Sequence, residues 1–157
     1  MKIQLWVVGK TTQHFVEQGL TEFCGRIKHY LPFEMQVIPD IKNTKHLSPE
    51  QVKEKEGEGV LKAVQPGDYL VVLDEQGQDF TSLQFSKYLE RKTHTVSQSL
   101  VFIIGGAYGL SQKVQEAAQE KIALSKMTFS HQLVRLIFAE QLYRAMTILH
   151  HTPYHHE

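Results

Sequence analysis

The sequence predicts an α/β protein, a mostly parallel sheet with helices on both faces. Three observations predict it. Segments with strand and helix character alternate along the chain as βαβαβαβαβα, the order that feeds a parallel sheet through helical crossovers. Two strand segments, YLVVL at 69–73 and LVFII at 100–104, are apolar without a break, as strands covered on both faces are. The first helical segment repeats its apolar residues at spacings of three, four and seven, so that one side is buried.

Each element follows from local chemistry. Residues 2–8, KIQLWVV, combine β-branched and aromatic types and end at Gly9, which predicts a strand. Over 11–30, Phe15, Val16, Leu20, Phe23 and Ile27 line one side of a helix that Pro32 closes. Residues 33–39 read as a second strand, and 41–48 as a polar, lysine-rich loop. Ser48 followed by Pro49 is an N-cap with proline at the first helical position, opening a helix to about 64. After YLVVL, residues 74–79 with Gly77 read as a turn, and 81–92 as a helix carrying Leu83, Phe85, Tyr88 and Leu89. LVFII breaks into GGAYGLS and a short helix over 111–119, followed by a short strand at 121–124, a loop at 125–130 and a long helix at 132–149.

Composition narrows the function classes. A chain of 157 residues, 41% hydrophobic and 22% charged, is expected to form one folded domain over 1–157 rather than a disordered segment. No apolar run approaches the roughly 20 residues of a membrane span, and no signal peptide is expected at the N-terminus. The single cysteine, Cys24, excludes an internal disulfide and is expected in the core; a reducing, cytoplasmic setting follows. Seventeen Lys and Arg balance seventeen Asp and Glu, which is not the charge of a general nucleic-acid coat. Basic character gathers at the C-terminal end, where five of the nine histidines (His131, His150, His151, His155 and His156) lie. Their spacing lacks the i, i+4 pattern of a helical metal site and no zinc is expected.

The strongest chemical signal is the strand–GGAYGLS–helix passage at 101–117. Glycines just beyond the carboxyl end of a strand let a ligand approach the backbone, and ligands of open α/β sheets sit at that edge. The spacing fits neither GxGxxG nor GxxxxGK[ST]. Two further strand ends, LDEQG at 73–77 and LSKMTF at 124–129, come from distant parts of the chain. Converging, the three make a pocket of backbone groups and apolar walls with few charges, suited to a flat heteroaromatic ring; LSKMTF is otherwise a plain connector. In the last helix, 12 of the 18 residues from Gln132 to Leu149 are apolar and occur all round the wheel. A terminal helix of that kind is expected to leave surface for a second copy, in a two-fold dimer. Arg144 has two readings, a surface ion pair with Glu140 or a functional cation; His131 is most simply a packing or capping residue.

KIQLWVVGK, PFEMQVIP, KEKEGE, VLDEQG, FIIGGAYGLS, LSKMTFSHQLVR, EQLYRA and PYHHE occur in this order, and together they closely resemble the ribosomal RNA large subunit methyltransferase H family of the SPOUT superfamily, over essentially the whole chain. The resemblance implies an α/β sheet with a C-terminal deep trefoil knot, a homodimer, and methylation by S-adenosylmethionine at N3 of a pseudouridine, position 1915 of 23S rRNA. It implies that Leu73, Gly105 and the loop Leu124, Ser125, Lys126, Met127, Thr128 and Phe129 bind the cofactor. For a displacement at a sulfonium methyl, a base must take the N3 proton and a cation must meet the developing charge. The candidates are His155 or His131 as base, Arg144 for charge or phosphate, and Tyr154 to stack on or orient the target base. Members of the family carry Arg or Lys after PYH, where this chain has His156. Three alternatives accompany this reading: a SPOUT enzyme for another RNA such as tRNA, a non-catalytic ribosome-binding module, and an unrelated small-molecule α/β enzyme.

Overall fold

A computed structural model describes residues 1–156. Five strands, β1 (Lys2–Val8), β2 (Phe33–Ile38), β3 (Tyr69–Asp79), β4 (Ser99–Ile104) and β5 (Glu120–Ala123), form one sheet in the order β2-β1-β4-β3-β5. Every pairing is parallel. The helices are α1 (His14–Ile27), α2 (Pro49–Ala63), α3 (Ser82–Thr95), α4 (Gln112–Ala117) and α5 (Leu133–Leu149), with a 3-10 turn at Thr44–His46 in the lysine-rich loop. The alternating order read from the sequence is the observed one.

The period-two pleat divides the apolar strand residues between two layers. Ile3, Leu5 and Val7 of β1 and Leu100, Phe102 and Ile104 of β4 face α1, α3 and α5, whose Val16, Leu20, Phe85, Leu89, Phe138 and Leu142 fill the larger core. Trp6, Val8, Val101 and Ile103 point the other way, onto Val60 of α2 and Val114 of α4. Helix starts are set by side-chain caps: Ser48 and Thr81 each build a reciprocal capping box, with Gln51 and Gln84. Cys24 is half-buried against the larger core.

One expectation is corrected. The turn placed at 74–79 is the second half of β3. The strand leaves the β5 ladder after Leu73 and rejoins it at Gln78, and both residues register with Ile122. Gly77 allows this: a Cβ there would lie 2.7 Å from backbone atoms of Lys121 and Ile122, so the two backbones touch and only glycine fits. The last helix keeps part of its apolar surface open, since Leu133, Val134, Leu136, Ile137, Ile148 and Leu149 are only half-buried. Every residue of α5 is buried or half-buried within the chain itself, because α1 and α3 both pack along it. Among the described residues no helix is long and apolar enough to cross a membrane.

Adjacent strands β3 and β4 hand the chain to opposite faces, β3 to α3 in the larger core layer and β4 to α4 in the smaller. The loops leaving their carboxyl ends therefore part, and a crevice opens between them.

Candidate functional site

That crevice is a cavity of about 380 Å³, within the range of small-molecule sites. Its walls come from three strands: Leu73, Asp74 and Glu75 at the break midway along β3, Ile104 to Gly109 at and beyond the end of β4, and Leu124, Ser125, Met127, Thr128 and Phe129 after β5. His131 and Val134, at the start of α5, close one side. The glycine loop holds its shape through the Gly109 N–H, which donates to the Gly106 carbonyl at 3.1 Å. In the β5 loop the Met127 N–H donates to Ser125 Oγ at 3.0 Å, and Met127 itself is 76% exposed at the rim.

The structure thus brings Leu73, Gly105, Leu124, Ser125, Met127, Thr128, Phe129 and His131 to one cavity. It leaves Lys126 out: its side chain is 85% exposed and reaches Asp79 at 3.7 Å. The lining is also more acidic than the sequence reading has it, because Asp74 and Glu75 face the cavity. Their signal was present in LDEQG; what the one-dimensional chain lacks is that β3 bulges there and turns both residues toward the β4 loop. Ala107, Tyr108 and Val134 had no signal of their own.

His131 is not a cap, since Gln132 holds the N-cap position of α5 without a side-chain bond. Its imidazole pKa lies below the usual histidine value, first because it is partly buried and second because the Arg135 charge is near. Arg135 is wholly buried. Its guanidinium donates to the carbonyls of Val8 (2.8 Å), Gly9 (2.9 Å) and His131 (3.1 Å) and to Thr11 Oγ1 (3.1 Å). Among the described residues no carboxylate pairs with it; burial lowers its pKa to about 10, which leaves it charged at neutral pH. Gln132 adds a second tie between α5 and the chain after β1, accepting from the Thr12 N–H and donating to the Lys10 carbonyl.

Arg144, Tyr154 and His155 form a second cluster that does not line this cavity. Arg144 and Tyr154 both donate to Glu140 Oε1, and the Arg144 guanidinium lies 4.8 Å from the Tyr154 ring centre. Arg144 Nη1 is 3.1 Å from His155 Nδ1. A guanidinium only donates, so Nδ1 is the acceptor and the neutral ring carries its proton on Nε2. The Tyr154 phenol is held above its ordinary pKa, by burial and then by the Glu140 charge. The ion pair read for Arg144 and Glu140 is therefore real, and Glu140 also orients Tyr154, a role the sequence reading missed because Tyr154 lies in the tail, fourteen positions away. Among the described residues no group of three His, Cys, Asp or Glu stands close enough to share a metal ion.

Comparison with known proteins agrees with this geometry. Residues 1–155 match a family model described as "Predicted SPOUT methyltransferase". The chain is 64% identical to the ribosomal RNA large subunit methyltransferase H of Parabacteroides distasonis and 59% identical to that of Phocaeicola vulgatus, each over the full length of both chains. It is 50% identical to that of Christiangramia forsetii over 99% of both. An all-parallel sheet with its cavity at the carboxyl edge, matched over nearly every residue, places the chain in the SPOUT methyltransferase family, among the ribosomal RNA large subunit methyltransferase H proteins.

Proposed function

We propose that this protein methylates 23S rRNA of the large ribosomal subunit, at N3 of pseudouridine 1915, with S-adenosylmethionine as donor. The observation that carries the reading is the cavity where the break in β3 meets the ends of β4 and β5. It offers backbone groups and apolar walls for an adenine ring, from Leu73, Ile104, Leu124 and Phe129, and two carboxylates, Asp74 and Glu75, for a cationic ligand. The residues fit that donor. S-Adenosylmethionine supplies, when bound, an electrophilic methyl group on a sulfonium.

The chain's own residues do the rest. The loop from Leu124 to Phe129 and the turn at Gly105 orient the donor, which sets the near-attack geometry that dominates such a displacement. His131, on the cavity wall and neutral at pH 7, accepts the N3 proton. Arg144 stabilises the charge on the base, and Tyr154 stacks on it, its hydroxyl steered by Glu140. His155, with Nδ1 already bonded to Arg144, orients that cation. The tail cluster does not reach the cavity of its own chain, so a cytoplasmic homodimer, one copy's tail over the other's cavity, assembles the site. The C-terminal trefoil knot expected of a SPOUT fold belongs to the same proposal.

Radiolabelled methyl transfer tests the reading. Label incorporated into ribosomes from a strain lacking the enzyme, mapped by mass spectrometry to N3 of that pseudouridine, supports it. Label incorporated only into tRNA, or none with any RNA while the donor binds, overturns it.

A further inference from the structure

Glu56 stands where the packing of α2 asks for an apolar residue. Val52, Glu56 and Val60 lie four apart on one stripe and are 7%, 8% and 0% exposed, the spacing of a buried helix face. The helix is pressed onto the start of α4 at this level: a Cβ on Gly57 would lie 2.3 Å from Ser111 Oγ. The Glu56 carboxylate ends under the glycine loop, where a Cβ on Gly106 would meet Oε2 at 2.8 Å and Oε1 at 2.9 Å. Oε1 is buried and has no hydrogen-bond partner. Burial raises its pKa, and the charge that bears on it, the carboxylate of Asp40, raises it further. A buried anion with neither hydrogen bond nor cation is costly, and a break of this kind in an otherwise consistent pattern belongs at a functional site. What it lacks is a positive charge, and the one face it shares with a ligand site is Gly106, which lines the cavity.

We propose that Glu56 is a specificity-determining residue of the donor site, a fixed anion behind the Gly105–Gly106 turn that favours a cationic occupant over a neutral one. The inference rests on the reading above that the cavity takes S-adenosylmethionine. The donor carries a sulfonium; the product left after methyl transfer, S-adenosylhomocysteine, is the same molecule as a neutral thioether. Glu56 acts through space across the glycine turn, without touching the ligand, in surroundings too dry to screen it fully. The consequence is a site that holds substrate donor and releases spent donor.

Calorimetric titration of the full chain with each of the two compounds tests this. In Glu56→Gln, affinity for S-adenosylmethionine is expected to fall about 10-fold, or ~1.4 kcal/mol, while affinity for S-adenosylhomocysteine stays within about two-fold. Thermal stability is expected to hold or rise, since an unpaired buried charge is removed. Glu56→Leu, which continues the Val52–Val60 stripe, is the second variant and is expected to show the same selective loss. Equal loss for both compounds, no loss for either, or failure of both variants to fold makes Glu56 structural and overturns the inference. Failure of the unaltered protein to bind either compound overturns the reading of the cavity instead.

Discussion

Replacing Arg135 with methionine removes the buried charged side chain that ties the end of β1 to the start of α5. Methionine keeps an unbranched, flexible stem of similar reach and deletes the charge and its donors. Four acceptors lose their partner: the carbonyls of Val8, Gly9 and His131 and the Thr11 hydroxyl. The Val8 and Gly9 bonds are fully buried, and each orphaned carbonyl costs about 1–3 kcal/mol. Against that sum of roughly 2–6 kcal/mol stands relief of about 1–2 kcal/mol from no longer burying a guanidinium that has no anion among the described residues, so a net loss of about 1–4 kcal/mol is expected. At 157 residues this lowers the midpoint of thermal unfolding by roughly 2–16 °C. Urea denaturation and thermal melts, run at matched protein concentration because assembly shifts apparent stability, measure it. Arg135→Lys is expected to recover only part of the loss, since an ammonium cannot span acceptors arranged for a planar fork. A methionine variant within about 0.5 kcal/mol of the parent, the range of an ordinary surface change, would falsify the claim that these carbonyls depend on Arg135.

Other outcomes follow from the same contacts. The His131 ring is expected to titrate below 6.5 by NMR, and Arg135→Met to move it back up, because part of the depression comes from that charge. The linkage has a definite sign: the folded state resists protonation of His131, so its contribution is present above the unfolded value of 6.5 and is lost as pH falls through the lowered folded pKa. At the opposite end of the sheet, Lys92 donates to Glu120 at 2.8 Å and to Tyr69 at 3.0 Å, and Tyr88 donates to Glu120 as well. Burial alone raises the Glu120 pKa, but the bonds from Lys92 and Tyr88 outweigh it and hold the group below its ordinary 4.5. Stability from Glu120 is thus present above 4.5 and lost as pH falls through the lowered value; Lys92→Met is expected to cost about 1–3 kcal/mol at pH 7 and to flatten the acid limb of a stability–pH curve. Tyr154→Phe removes the hydroxyl that Glu140 accepts; we expect a stability change of about 1 kcal/mol or less and a clear fall in methyl transfer, with unchanged donor affinity in calorimetry. Equal transfer rates for the two proteins would remove Tyr154 from the site.

The layering, the strand order along the chain and the carboxyl-edge cavity were legible in the sequence because they rest on local signals. Uninterrupted runs such as YLVVL and LVFII announce doubly covered strands, Ser48-Pro49 announces a helix start, and glycines after a strand announce a ligand edge. Three of the segments so marked do converge, and most of their residues line the cavity. Spatial neighbourhood carries no such mark. Nothing local says that β3 resumes at Gln78 beside the same Ile122 it met at Leu73, that Asp74 and Glu75 turn into the cavity, or that Lys126 turns away from it. The same holds for Glu56: in PEQVKEKEGEG it is one glutamate among four, and only the packing of α2 beneath Gly106 makes it a buried anion. Periodicity in a chain reports which way a side chain points relative to its own element, whereas burial and electrostatic partners are set by what other elements bring against it, and that is decided only when the layers close.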